Sequence, residues 1–507
     1  MSDYDQAADR AEKQLKNISP TMCYAKWAQT SMHLTTGMTH SCYHPPLHKI
    51  SVNEIRKDPS ALHNTEQKKQ ERKQMLKGEK PSGCSYCWKI EENKQRSDRI
   101  YRSGEYWAQN ARNDIFENLD TGNITPRYVE VNFNQACNFK CMYCSPHLST
   151  EWEKEIQEHG AIEILDDNSN ISYHNDVDYL DKQGLMPIKV KQEENPYLRA
   201  FWEWWPELYR SLEVFRITGG EPLMDSNTFK VLDYVYENPN TWLELSITTN
   251  MCPPKKNLMD KFIDKLKKLE EIQIWNDPER FNPGSGNHWY VNPSLKNFSL
   301  FVSIDSVYKQ AEYIRSGLDY EYMQENIQRY LQETDNTTIT FINTFNVLSV
   351  PKFKNYLEYI LQLRQQFSRQ NQGIKYFPIV DPYNTHPDYE IHPRQRIWFD
   401  LPILSYPKWN AIQLLPKEYA FFIQEGIDFM KQHTDVDNFN GFYDFEIEKA
   451  ERNLKIFLNE DEASDIDKIN FANYIKQHDI RRNVDFVETF PELKDFFDDC
   501  LKLETES

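Results

Sequence analysis

Apolar and polar positions alternate with a period of two along Tyr128–Phe133 (YVEVNF), which predicts a strand. From Leu148 onward the spacing changes, with Trp152 and Ile156 one helical turn apart, which predicts a helix. The same exchange of periods recurs downstream. A Trp-rich helix over Pro196–Ser211 precedes a strand at Glu213–Thr218, and further strands are predicted at Trp242–Thr248, Asn297–Ile304, Thr338–Val347 and Ile374–Val380. Strands alternating with helices point to an α/β fold with a parallel sheet. Residues 160–195, rich in Asp, Asn and Gln, interrupt this pattern as a surface insertion, and 275–297 reads as a long aromatic loop able to cover a substrate.

The flanks differ. Tyr24–Thr35 alternates, turns at Gly37 and returns to Cys42, which predicts a β-hairpin with a cysteine at each outer end. Two helical stretches follow over 52–77, broken at Pro59 and stopped by Gly78 and Pro81, and a solvated helix is expected over Ile90–Ile100. Beyond 385 an aromatic, Pro-containing connection leads to helices at about 417–433, 441–458, 466–478 and 489–502, in which no chemistry is visible. Three regions result: a module over 1–120, an α/β domain over 125–385 and a mainly helical extension over 386–507.

Composition narrows the function classes. Of 507 residues 39% are hydrophobic, enough for a sizeable core. The net charge of −19 supplies no global field for nucleic acid and argues against it as a partner. The basic run Lys68–Lys80 is expected to be a solvated helix face. The N-terminus has no apolar run and no stretch reaches membrane-spanning length, so a cytoplasmic, reducing setting is expected. There, metal or cluster ligation is the expected use of the nine cysteines rather than disulfides. Cys252 and Cys500 read as unligated thiols, and His40, His44 and His48 as polar surface groups.

The densest chemistry lies in Cys137-Asn-Phe-Lys-Cys141-Met-Tyr-Cys144, directly after the first predicted strand of the α/β domain. Three thiols are one too few for a closed tetrahedral zinc site. They suffice for three corners of a cubane iron–sulfur cluster, leaving one iron open for chemistry. The alternative is a zinc knuckle with a fourth ligand from elsewhere. One βα unit later, Gly219-Gly220-Glu221-Pro222 follows a strand, two residues without a Cβ that let backbone approach a ligand closely.

In this order the C-x-x-x-C-x-x-C motif and Gly-Gly-Glu resemble the radical S-adenosylmethionine (SAM) superfamily. The resemblance implies a partial (β/α)6 barrel and a 4Fe-4S cluster on Cys137, Cys141 and Cys144. Its open iron would hold SAM and cleave it reductively to a 5′-deoxyadenosyl radical. Tyr143 would pack on the adenine, and Gly219, Gly220 and Glu221 would meet the SAM amino group. The polar strand ends Thr248 and Asn250 are candidates to lie near the ribose, a helix N-cap or turn Asn being the alternative. Ser303-Ile-Asp305 with Tyr313-Ile-Arg315-Ser-Gly317 resembles a stretch common in the SPASM and twitch members of that superfamily. There Ser303 would lie near the ribose and Arg315 would pair with the SAM carboxylate, an ordinary salt bridge being the alternative for Arg315.

Four further thiols, Cys23, Cys42, Cys84 and Cys87, can close a shell around zinc or ligate a cubane. A hairpin ending in Cys, a helical stretch ending in Lys-Gly-x-x-Pro, then C-x-x-C, resembles the twitch domain, the short relative of the SPASM auxiliary-cluster domain. Its position before the barrel is similar to one branch of radical SAM proteins, frequent in phage and marine bacterial sequences. The resemblance implies a second, auxiliary Fe-S cluster, an external electron donor of flavodoxin or ferredoxin type, and a peptide or protein substrate. A sugar, nucleotide or RNA base is the alternative substrate, and a non-catalytic zinc-stapled binding protein the alternative class.

Overall fold

The computed structural model describes residues 3–120, 122–165, 176–270, 273–275, 290–292, 294–335, 337–367, 395–435 and 440–506. The chain divides into two compact units. The first comprises Met1–Ala136, Leu180–Ile247 and Glu271–Asn297, and the second Cys137–Tyr179, Thr248–Glu270 and Phe298–Ser507. Among the described residues no helix is long and apolar enough to cross a membrane.

In the first unit, Tyr128–Asn132 pairs in parallel with Val214–Thr218, which pairs in parallel with Asn240–Thr249. On its other side Tyr128–Asn132 pairs in parallel with Gln29–His33, in register from Gln29 with Tyr128 to His33 with Asn132. The hairpin forms, but shorter than the alternation predicted. Gln29–His33 pairs antiparallel with Met38–His40, while Tyr24–Ala28 is helical. All five residues of that short helix are buried, so packing overrides the strand-like pattern. Gly37 turns the hairpin with a positive φ of 66°, and a Cβ there would run into the Tyr197 ring. Tyr197 opens the helix Pro196–Ser211, as predicted, with Asn195 accepting from the amides of Tyr197 and Leu198 at 2.9 and 3.2 Å.

The basic run is a correction. Glu66–Leu76 is a helix, yet Lys68, Arg72 and Met75 are buried on one face of it, spaced four and three residues apart. Lys68 Nζ donates to the hydroxyls of Thr30 and Thr39 at 2.9 and 2.8 Å. Arg72 donates to the carbonyl of Lys26 at 3.1 Å and to Asn64 Oδ1 at 2.8 Å. Charge counting assigned the run to solvent, whereas two of its six cations, Lys68 and Arg72, are satisfied inside. The helix expected over Ile90–Ile100 is two, Ser85–Glu92 and Asp98–Gly104, broken where Lys94 takes a positive φ. The predicted loop over 275–297 contains, in its described part, an antiparallel pair of Gln273–Trp275 with Tyr290–Asn292.

In the second unit, Leu295–Ser303, Thr337–Ile342 and Ile397–Asp400 run parallel, with Ser303 beside Ile342 and Ile342 beside Asp400. The strand expected at 374–380 lies outside the described residues. Ile397–Asp400, read from the sequence as part of a connection, is a strand: only four residues long and flanked by Pro393 and Pro402, it offered too short a pattern to recognise. The predicted C-terminal helices appear as Ala420–Gln432, Asp444–Asn459, Asp465–Arg482 and Lys494–Glu506. A fully buried ion pair of Arg364 with Glu446, at 2.7 Å, ties one of them to the helix Phe353–Phe367.

Candidate metal centres

The loop 137–144 lies in the second unit and is held by side chains at four of its carbonyls. Ser149 caps the helix Thr150–His159 and donates to the Phe139 carbonyl at 2.6 Å. Thr150 Oγ1 donates to the Cys137 carbonyl at 3.1 Å, and Trp152 Nε1 to the Cys141 carbonyl at 2.7 Å. Tyr474 donates to the Met142 carbonyl at 2.8 Å. Lys140–Cys141 forms a short antiparallel ladder with Arg315–Ser316, and Arg315 stands opposite Cys141. Gly317 follows with φ of 107°, and a Cβ there would lie 2.6 Å from the Asn138 carbonyl oxygen. The glycine of the Arg-x-Gly stretch therefore lets that strand press against the cysteine loop.

All three cysteines are partly exposed. Burial nonetheless pushes the Cys144 thiol up to about 12, with Cys141 adding to the effect. Burial also raises Cys141, opposed by the Arg315 guanidinium. Arg315 Nη1 donates to Cys141 Sγ at 3.5 Å, while Nε pairs with Asp305 at 2.8 Å. Tyr143 Oη donates to both Asp305 oxygens, at 3.0 and 2.8 Å, and accepts from Arg315. Asn250 Nδ2 donates to Asn138 Oδ1 at 3.0 Å and its Oδ1 accepts the Cys252 amide at 2.8 Å. Ser303 ends its strand, partly buried.

In the first unit, Gly219 has φ of 123°, and a Cβ would lie 2.6 Å from Asn132 Oδ1. A Cβ on Gly220 would overlap the backbone of Gln135 and Ala136. Glu221 is 1% exposed; its amide donates to the Ala136 carbonyl at 2.6 Å and its carboxylate accepts the Leu223 amide at 3.0 Å. Both glycines are thus needed for the turn to seat on residues 132–136.

Cys23, Cys42, Cys84 and Cys87 line one cavity, also within the first unit, together with Lys26, His44, Arg99 and Arg102. Cys23, Cys84 and Cys87 are buried and Cys42 partly so. Burial pushes Cys23 and Cys87 up to about 12 and Cys42 to about 11. Lys26 Nζ donates to Cys84 Sγ at 3.8 Å and pairs with Glu71, and Arg99 pairs with Glu91 at 2.9 Å. Among the described residues no three His, Cys, Asp or Glu side chains converge as on a single ion.

The three histidines are not plain surface groups. His44 stacks on Tyr86 at 3.8 Å and meets Asp98 at 2.7 Å. His48 bonds Thr65 at 2.9 Å, and burial depresses both His40, to about 4, and His48, to about 3. Cys252 and Cys500 are buried and in no disulfide, and Cys252 Sγ donates to the Asp319 carbonyl at 3.9 Å.

No family profile matches the chain, and no solved structure does. Curated proteins named GTP 3′,8-cyclase are similar to parts of it. That of Trichodesmium erythraeum is 27% identical over 171 residues, 33% of this chain and 42% of that protein. That of Campylobacter lari is 26% identical over 142 residues, 28% of this chain and 33% of that protein. That of Staphylococcus carnosus is 21% identical over 267 residues, 52% of this chain and 68% of that protein. The chain thus spans about two-fifths of the first relative and a third of the second. These likenesses support the radical SAM superfamily.

Sequence reasoning missed the residues that act on the cysteines from a distance. Asp305 was quoted only as part of a motif, yet it is the carboxylate that fixes both Tyr143 and Arg315. Tyr474 and Arg482 come from a helix in which no chemistry was visible; Arg482 lies 4.8 Å over the Trp152 ring and pairs with Glu155 at 3.2 Å. Nothing in local spacing links residues some three hundred positions apart. Lys26 had a findable signal, a lone cation three residues after Cys23.

Proposed function

We propose that the chain is a radical SAM enzyme with a partial (β/α) barrel and an N-terminal twitch-like module. The observation that carries this reading is the loop 137–144, whose three thiols come from eight residues with the backbone carbonyls of Cys137, Phe139, Cys141 and Met142 all engaged elsewhere. The chemistry of the donor set fits the cluster: three thiols from one short loop, with a guanidinium beside one sulfur to favour the thiolate a metal requires. A cluster bound there supplies the electron that cleaves the SAM sulfonium. Within the second unit, the protein's part is to hold the loop rigid and keep polar strand ends such as Ser303 and Asn250 for the ribose.

The module 1–120 would carry an auxiliary Fe-S cluster on Cys23, Cys42, Cys84 and Cys87. Four thiols around one cavity, with Lys26 Nζ donating to Cys84 Sγ, support ligation there. For the substrate, the names of the relatives favour a nucleotide over the peptide or protein implied by the SPASM-like resemblance. A flavodoxin or ferredoxin would deliver the electron.

The test is anaerobic reconstitution, with iron and sulfide analysis and absorbance near 400 nm, about where Fe–S charge transfer falls. Reduction with SAM should then yield 5′-deoxyadenosine. Deuterium appearing in that product from a labelled nucleoside triphosphate, and not from labelled peptides, would select the nucleotide reading. A protein that takes up zinc but no iron would reject the whole assignment.

A further inference from the structure

We propose that Glu130 is a specificity-determining residue: its carboxylate meets two adjacent N–H donors on a neutral ligand edge, the edge that guanine presents. The inference rests on the nucleotide reading above. Alternate residues of a strand face opposite sides of its sheet. In the first unit one side carries Val129, Val131, Phe215 and Ile217, all buried, with Trp205 of the helix Pro196–Ser211 at 5.1 Å from the Phe215 ring. The other side carries Ser31 beside Glu130 beside Arg216, and His33 beside Asn132 beside Thr218. None of these six is exposed. A polar face kept from solvent costs stability unless its groups find partners, and departures of this kind from an apolar core mark functional sites.

Glu130 is the group on that face with the most to gain from a ligand. Its side chain is 18% exposed, and its ion partner, Arg216 Nε, stands 3.9 Å away, beyond hydrogen-bond reach. Arg216 is anchored elsewhere: its Nη1 donates to the hydroxyls of Tyr43 and Tyr128, both at 3.1 Å. A mostly buried carboxylate calls for donors, and its two oxygens suit a parallel pair. Glu130 and Arg216 offset each other in charge, and burial keeps His33 neutral, down at about 4. A second cation is therefore disfavoured beside Arg216, and a polyphosphate finds no uncompensated cation on this face. A neutral edge with two adjacent N–H groups fits, and guanine has one in its ring N1–H and exocyclic amine. Neither adenine nor hypoxanthine offers that pair.

The experiment uses the full chain, reconstituted anaerobically and saturated with SAM, as wild type, Glu130→Gln and Glu130→Asp. Calorimetry reads the Kd of guanosine, inosine and adenosine on each, and iron content is read separately. We expect the wild type to prefer guanosine to inosine by about tenfold or more, the worth of one hydrogen bond to a charged group. Glu130→Gln should bring that ratio to within about threefold by weakening guanosine, since an amide accepts at only one of its two positions. Glu130→Asp, which keeps the charge that Arg216 faces and withdraws it by one methylene, should fall between. The ratio, unlike the separate Kd values, does not move with a general loss of folded protein. Equal affinity of the wild type for the three nucleosides, no binding of any, or a guanosine preference kept in Glu130→Gln would each overturn the inference. Those results leave the radical SAM reading standing where iron and 5′-deoxyadenosine are found, whereas wild-type protein without iron overturns that reading instead.

Discussion

The two groups of cysteines are built on opposite plans. Cys137, Cys141 and Cys144 come from one short loop, and all three are partly exposed. Cys23, Cys42, Cys84 and Cys87 come from three separated segments around a cavity, and three of the four are buried. In the loop, rigidity comes from outside: side chains of Ser149, Thr150, Trp152 and Tyr474 hold its carbonyls. In the cavity, rigidity comes from the core, since Cys23 and Cys84 belong to the same apolar cluster as Trp27, Trp88 and Trp107. Structural metal sites close the coordination shell, whereas reactive sites keep a position open. The contrast is what one expects of a site that meets a diffusible cofactor beside one that meets none.

The strongest way to break this comparison is to remove one thiol from each. Cys141→Ala should abolish 5′-deoxyadenosine formation, while Cys84→Ala should leave SAM cleavage intact and block product. Liquid chromatography of the reaction, with iron content per chain, checks both; an active Cys141→Ala protein would dissolve the distinction. Next in size is Gly220→Ala. Its Cβ would overlap the backbone of residues 135 and 136, which cannot swing aside as a side-chain tip can. A loss of about 1–3 kcal/mol, the usual cost of overpacking, is expected in denaturant unfolding.

Much of this contrast was legible in the sequence, and unevenly so. The loop was readable because its three donors lie within one spacing pattern, and the glycines at 219 and 220 because a strand preceded them. The helix Pro196–Ser211 was readable because sixteen residues give the 3.6-residue period room to show. The cavity was readable only in part: four cysteines in order suggested a shared ligand, but Lys26 and Arg99 as their charge partners follow from tertiary packing. Lys68 and Arg72 were misplaced for the same reason, since a charged residue satisfied by Thr30, Thr39 and Asn64 looks in sequence like one satisfied by water. Asp305 shows the limit most plainly. Its role depends on Arg315 and Tyr143 meeting it, and no one-dimensional pattern records that meeting.

A smaller effect sharpens the claim that the loop is held from outside. Tyr474→Phe deletes only a hydroxyl that donates to the Met142 carbonyl, with Asn410 left at 3.4 Å as a weak substitute. Removal of one buried hydrogen bond costs about 1 kcal/mol. Unfolding should register that loss, while metal uptake by the four-cysteine cavity should be unchanged. Equal disturbance of both sites would mean that the loop is not separately supported.

The smallest expected effect concerns pH. Glu155 sits on the helix that follows the loop, with 3% of its side chain exposed, 2.6 Å from Lys140 Nζ and 3.2 Å from Arg482. Burial alone would raise its pKa, but Arg482 and Lys140 outweigh burial and hold the carboxyl below the usual range. A folded-state pKa below the unfolded one means that the unfolded chain binds the proton first. The stabilisation is therefore complete above the unfolded value, about 4.3 for Glu, and is lost as pH falls through the folded value. Glu155→Gln removes that dependence, so its stability should fall less steeply than that of the wild type as the solution is acidified below about pH 4.3. Unfolding curves collected across that window check it. Parallel declines would mean that the anchor between loop, helix and C-terminal extension does not depend on this charge, leaving Tyr474 and Trp152 as the groups that set the loop apart from the cavity.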